Sequence, residues 1–204
     1  GDIRATDIAY SNSSTSFRIG YKKQIYQVEA PVVGEFNVYN LLAVIASLIA
    51  SGYSIQKIVK QISLISQVPG RMERLGSKNT PKIFVDYAHT PDALQKTLQA
   101  LRPIAQQRGG KLWCVFGCGG DRDSGKRPQM GAAATNFADQ IIITSDNPRS
   151  EDPNVIMEMI RAGIQSPDAN VQVIADRAAA IMAAIRHADP RDIVLVAGKG
   201  HETS

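Results

Sequence analysis

IFVDYAHTPDALQKTLQALRPIAQQRGGKLWCVF, residues 83–116, reads as strand, helix, strand. IFVDY at 83–87 and LWCVF at 112–116 are short, apolar and β-branched or aromatic, without the alternation of a half-exposed strand. Strands covered on both faces have this character. Between them, 91–107 has the apolar spacing of a helix. The same unit recurs towards the C-terminus. QIIIT at 140–144, VQVI at 171–174 and IVLVA at 193–197 are further strands, and 128–138, 153–165 and 176–187 are further helices. Successive strand starts lie 29, 28, 31 and 22 residues apart, near the roughly 30 residues of a strand–helix–strand crossover. The expected fold is therefore α/β: a Rossmann-like, mostly parallel sheet with helices on both faces. In such sheets ligands bind outside the carboxyl ends of the strands.

Residues before this region have another pattern. Ser16 to Ile19 and Gln24 to Val28 are candidate strands, with SNSS before them and GYKK between them. VYNLLAVIASLIAS at 38–51 is apolar almost all round and reads as a buried helix stopped by Gly52. Ser54 can cap a second helix, IQKIVKQIS. Pro69-Gly70 then breaks the chain, so one domain is expected over 1–68 and a second over 69–204.

Composition narrows the function classes. The 204 residues carry 23 Lys and Arg against 19 Asp and Glu, a net charge of +4. A balance this mild makes no electrostatic case for nucleic acid or an anionic membrane. No apolar run approaches the ~20 residues of a membrane span, and the first 20 residues lack the basic start and apolar stretch of a signal peptide. Cys114 and Cys118 share one segment with no second ligand pair at zinc spacing, and read as packing residues in a reducing compartment. His187 reads as a surface residue at a helix end, and both chain ends read as cut from something longer.

The strand ends hold the candidate chemistry. DYAHTPDAL places Asp86 and His89 at the first strand's edge, with Thr90 and Pro91 suited to start a helix; taken alone, the motif reads first as a capped helix with an incidental histidine. GCGGDRDSGKRP follows the second strand. Its Gly120–Lys126 stretch nearly matches a phosphate loop, but Arg127 stands where a magnesium-binding hydroxyl is required, which excludes that motif. Arg122, Lys126 and Arg127 are expected to face an anion, although a glycine turn with solvated charges is the other reading. TSDNPRSEDP sets Asp146, Asn147 and Arg149 around a turn stiffened by Pro148. An acid, an amide and a guanidinium suit a ligand with both ammonium and carboxylate; a polar helix-capping loop suits them too. AGKGHE after the last strand offers Gly198, Gly200, His201 and Glu202, or else a loose turn.

Six segments taken together resemble the Mur ligases: EFNVYNLLAV, PGRMERL, VDYAHTPDAL, FGCGGDRDSGKRP, TSDNPRSEDP and AGKGHE, in that order from about Gly34 onward. Within that family they are most similar to the branch that adds the third amino acid of the peptidoglycan peptide. The resemblance implies that 1–68 is the tail of a central ATP-binding domain and 69–204 most of an amino-acid-binding domain. It implies a cytoplasmic enzyme with ATP and Mg2+, whose metal ligands, phosphate loop and catalytic lysine lie outside these residues. The implied reaction adds meso-diaminopimelate to UDP-MurNAc-L-Ala-D-Glu through an acyl phosphate. By the same resemblance Asn37, Asn40, Arg71, Asp86 and His89 serve ATP. Arg122, Asp146, Asn147, Pro148, Arg149, Gly198 and Glu202 serve the amino acid, with Arg149 and Arg122 on carboxylates and Glu202 with the Gly198 carbonyl on the distal ammonium. No nucleic-acid or membrane partner is implied. A non-catalytic amino-acid or nucleotide binding module with the same sheet is the alternative of another class; a Mur ligase with another substrate is a third, against which the D-N-P-R string argues.

Overall fold

Thr15, Phe17 and Ile19 are buried while Arg18 between them is exposed, the period-two pattern of a strand with one covered face. The computed structural model describes residues 3–11, 14–77 and 79–200. The chain divides into two units, 1–67 and 68–204. In the first, β1 (Ile3–Tyr10), β2 (Thr15–Tyr21) and β3 (Gln24–Ala30) form an antiparallel sheet in that order. The β2–β3 hairpin turns on Lys22 and Lys23, both at positive φ (46° and 64°), as a two-residue turn matched to strand twist requires. α1 (Glu35–Ala50) and α2 (Ile55–Ile62) follow. Their Val38, Leu41, Ile45, Ile55, Ile58 and Ile62 close over Phe17, Ile19 and Val28.

Two expectations change here. β1 lies where the sequence suggested strands without resolving one. α1 is not buried all round, because its core face is only Val38, Leu41 and Ile45, and Tyr39 and Val44 are 62% and 52% exposed.

The second unit begins with β4 (Glu73–Leu75) and β5 (Lys82–Asp86). It continues through α3 (Pro91–Gln107), β6 (Leu112–Phe116), α4 (Lys126–Phe137), β7 (Gln140–Ile143), α5 (Pro153–Arg161), β8 (Val171–Val173), α6 (Arg177–His187) and β9 (Ile193–Ala197). The six strands lie in the order β4-β5-β9-β6-β7-β8. All neighbours pair in parallel except β4, which runs antiparallel to β5. Every residue of β6 and β9 is buried. On one face α6 sets Ala180 and Ala184 against Trp113, Val115, Val194 and Val196; α3, α4 and α5 pack together on the other.

Helix starts follow their caps. Thr90 Oγ1 accepts from the Ala93 amide at 3.3 Å, with Pro91 at the first position of α3. Asp152 and Asp176 cap α5 and α6 in the same way. The helix expected over 153–165 ends at Arg161, and Gly163 beyond it lies so close to the Pro128 carbonyl that it admits no side chain. The interior also holds a polar anchor: buried Asp192 accepts from Trp113 Nε1 (2.9 Å), the Lys111 amide (2.7 Å) and the Asp189 amide (3.0 Å).

Candidate functional site

A cavity of about 480 Å3 opens outside the carboxyl ends of β5, β6, β7 and β9. The β5 end contributes Tyr87 and His89, the β6 end Gly117 to Gly119 with Arg122 and Lys126, the β7 end Asp146, Asn147 and Arg149, and the β9 end Gly198 and Lys199. Two arginines, two lysines and a histidine face one carboxylate, so the space favours a ligand carrying more than one acidic group.

The β6 and β7 loops are built into each other. A Cβ on Gly117 would lie 2.2 Å from the Thr144 carbonyl, and one on Gly120 would lie 1.9 Å from the Pro148 carbonyl. Only glycine permits that approach. Three hydrogen bonds use the closeness: the Gly120 amide donates to Asn147 O (2.9 Å), Arg149 Nη1 to Gly120 O (2.7 Å), and Ser150 Oγ to Asp121 Oδ1 (2.6 Å). Asp121 and Arg149 both sit at positive φ, 51° and 50°. Non-glycine residues hold that conformation where their surroundings impose it.

Arg127 corrects the expectation that it faces an anion. It is 1% exposed and turned inward, where the Glu151 carboxylate takes it fork to fork (Nη1–Oε2 2.8 Å, Nη2–Oε1 2.7 Å). The Asp121 amide also donates to Glu151 Oε1, at 2.6 Å. Those bonds, the guanidinium first, hold the Glu151 carboxyl below its ordinary range and push Arg127 up. Among the three cations of this loop, Arg122 and Lys126 alone line the cavity. The inward side is set by α4, whose second residue faces Glu151 and Met159.

At the β5 end, Asp86 is buried. It accepts from the Met72 amide (2.9 Å), the Ala88 amide (2.9 Å) and Thr97 Oγ1 (3.4 Å). Desolvation raises its pKa, partly offset by those bonds and by Arg71. Arg71 lies over the Tyr87 ring at 4.7 Å, and Tyr87 meets His89 edge-on at 4.8 Å. His89 Nδ1 is 2.9 Å from Tyr87 O, which only accepts, so the ring directs its N–H there. Cys118 forms part of the cavity wall although only 5% exposed, and burial pushes its thiol up to about 11.

Residues 70–200 match the model of the Mur ligase, glutamate ligase domain, and residues 1–48 that of the Mur ligase middle domain. The chain belongs to the Mur ligase family. It is 51% identical over 202 residues to the UDP-N-acetylmuramoyl-L-alanyl-D-glutamate–2,6-diaminopimelate ligase of Ralstonia nicotianae, covering 99% of this chain and 39% of that protein. It is 52% identical over 200 residues to the ligase of the same name from Janthinobacterium sp. (strain Marseille), covering 98% and 39%. The chain thus spans about two fifths of the length of these relatives. A solved structure of a ligase of that name superposes with a TM-score of 0.68 at 40% identity, over 99% of this chain and 41% of the other. The UDP-N-acetylmuramate-alanine ligase of Thermotoga maritima shares the fold alone, with a TM-score of 0.76 at 19% identity over 97% of this chain and 42% of the other.

Of the residues that the Mur ligase resemblance assigned to the amino acid, Arg122, Asp146, Asn147, Arg149 and Gly198 meet in the one cavity. Pro148 stands behind it, its carbonyl against Gly120. Glu202, with His201, lies outside the described residues. Of those assigned to ATP, His89 lines this same cavity, Arg71 flanks its Tyr87 wall, and Asp86 spends its carboxylate on the protein interior. Asn37 and Asn40 lie in the first turns of α1 in the other unit, where Asn37 Nδ2 donates to Val33 O (2.8 Å) and Asn40 Nδ2 to Asn37 Oδ1 (3.3 Å). Sequence reasoning missed Tyr87, Lys199 and the lining role of Cys118; the cysteine's place between Gly117 and Gly119, just past a strand, was the available signal. It also missed Glu151, which the sequence shows only as one acid in a polar turn.

Proposed function

We propose that this chain supplies the amino-acid-binding part, and the end of the ATP-binding part, of a ligase that joins meso-diaminopimelate to UDP-MurNAc-L-Ala-D-Glu in peptidoglycan synthesis. The supporting observation is that Arg122 and Arg149 converge with Asp146 and Asn147 on one cavity, in a chain half identical to proteins of that name. Diaminopimelate is lysine with a second carboxylate on its distal carbon. Two guanidinia can each take one carboxylate, while Asp146 and the Gly198 carbonyl accept from ammonium groups. L-Lysine brings a net positive charge and one carboxylate fewer to a cationic space, and is repelled.

In this reading residues 1–68 are the end of the central domain, with Asn37 and Asn40 towards the nucleotide, Arg71 of the second domain also serves the nucleotide, and the protein is cytoplasmic. ATP would phosphorylate the terminal carboxylate of the dipeptide and leave as ADP; the deprotonated amine held in this cavity then attacks the acyl carbon, and inorganic phosphate departs as the amide forms. The chain's share of that chemistry is to position the amine and neutralise its carboxylates. Among the described residues no three His, Cys, Asp or Glu side chains gather as a metal site. In this reading the ligands of a magnesium ion lie outside these residues, and no step is assigned to one. No helix of the described residues is long and apolar enough to cross a membrane.

Calorimetric titration tests the reading. meso-Diaminopimelate should bind the chain at least about tenfold more tightly than L-lysine, since a charge-assisted hydrogen bond is worth roughly 1.5–3 kcal/mol. Arg149→Ala should remove most of that difference. Equal affinities for the two amino acids in the unsubstituted chain would refute the assignment.

A further inference from the structure

We infer that Glu151 and Arg127 form a positioning clamp that sets the separation of the two guanidinia, Arg122 and Arg149, and so governs selection of a dicarboxylic amino acid; this rests on the substrate reading above.

The clamp binds three pieces of chain through one carboxylate. Glu151 holds the amide of Asp121, the residue before Arg122, at 2.6 Å. It lies two residues after Arg149 and holds Arg127 at the start of α4 with two bonds of 2.7 and 2.8 Å. Arg127 Nη2 reaches back to Gly119 O at 3.4 Å. The β6 loop is thereby pinned on both sides of Gly120, and each arginine of the cavity is adjacent to, or is itself, a residue at positive φ. Such residues relax to negative φ when released, and either relaxation would swing a guanidinium. Neither Glu151 nor Arg127 lines the cavity, so neither is a ligand group.

Stability alone does not account for a pair in which Arg127 is 1% exposed and the Glu151 side chain 32%. Well-packed apolar residues often replace a buried ion pair at no loss. They cannot accept the Asp121 N–H, and that bond is the one that reaches the neighbour of Arg122.

The test compares the chain with Arg127→Met/Glu151→Leu, which fills the space without charge, and with Glu151→Gln, which keeps an acceptor for Asp121. Melting temperature, hydrogen exchange of the Asp121 amide and of the Ser150 amide, which donates to Asp121 Oδ2 at 3.3 Å, and affinities for meso-diaminopimelate and L-lysine are measured for each. The double variant should melt near the parent, lose protection at those two amides, and lose about tenfold or more of the diaminopimelate-over-lysine ratio. Glu151→Gln should recover part of it. A double variant that melts near the parent with the ratio intact overturns the clamp alone. A double variant with a lowered melting point makes Glu151→Gln decisive: a ratio between those of the parent and the double variant supports the clamp, and a ratio equal to the parent's overturns it. A parent chain that shows no preference overturns the substrate reading and the clamp with it.

Discussion

A carboxylate that accepts two guanidinium N–H groups and a backbone amide has little affinity left for a proton. Glu151 is in that position, and its folded-state pKa lies below the ordinary 4.5. A lowered carboxylate pKa adds stability that is complete above the unfolded value and fades as pH falls through the folded one. The urea midpoint of the chain should therefore fall as the pH drops below about 4.5, and Glu151→Gln should flatten that limb while lowering the plateau above it. Identical limbs in the two proteins would mean that the pair is not formed in solution. Asp86 works in the opposite sense: burial raises its pKa, so its contribution declines as pH rises through the raised value. At this scale the sequence was partly legible. Arg149 stood out because a proline precedes it in a turn. Arg127 was misread because Arg122, Lys126 and Arg127 look alike in one dimension, and only the helix phase of α4 decides which of them turns inward.

Elements were more legible than residues, for a physical reason. Strands covered on both faces must be apolar throughout, so β6 and β9 appear in the sequence with their observed limits. α3 likewise appears whole, since Thr90 and Pro91 mark its start and Leu94, Leu98 and Leu101 its buried stripe. Leu98 is fully buried, and Leu98→Ala should cost about 2–5 kcal/mol in chemical denaturation; a cost well under 1 kcal/mol would mean that α3 does not pack on the sheet as described. β4 escaped notice because three residues, two of them charged, carry no period. Strand order was also hidden: pairing of β5 with β9 joins Lys82 to Ile193, and no local pattern reports a partner that far along the chain.

Across the molecule, the cavity residues all belong to the second unit, while Asn37 and Asn40, proposed above for the nucleotide, lie in the first. The stretch between α2 and β4 exposes Leu64 and Val68. Limited thermolysin digestion, which cuts before exposed Leu, Ile and Val, should cleave first between Ser63 and Val68 and leave a stable fragment that still binds meso-diaminopimelate; initial cuts within 70–200 would contradict the two-unit description. One feature of the sheet bears on how the protein is made. β9 lies between β5 and β6, yet it is the last of the six strands to be translated. A nascent chain that has reached α6 therefore holds two half-sheets, β4-β5 and β6-β7-β8, each with an unpaired apolar edge awaiting the same missing ribbon. Such edges invite intermolecular association, and the pairing of β9 with β5 and β6 covers both at once.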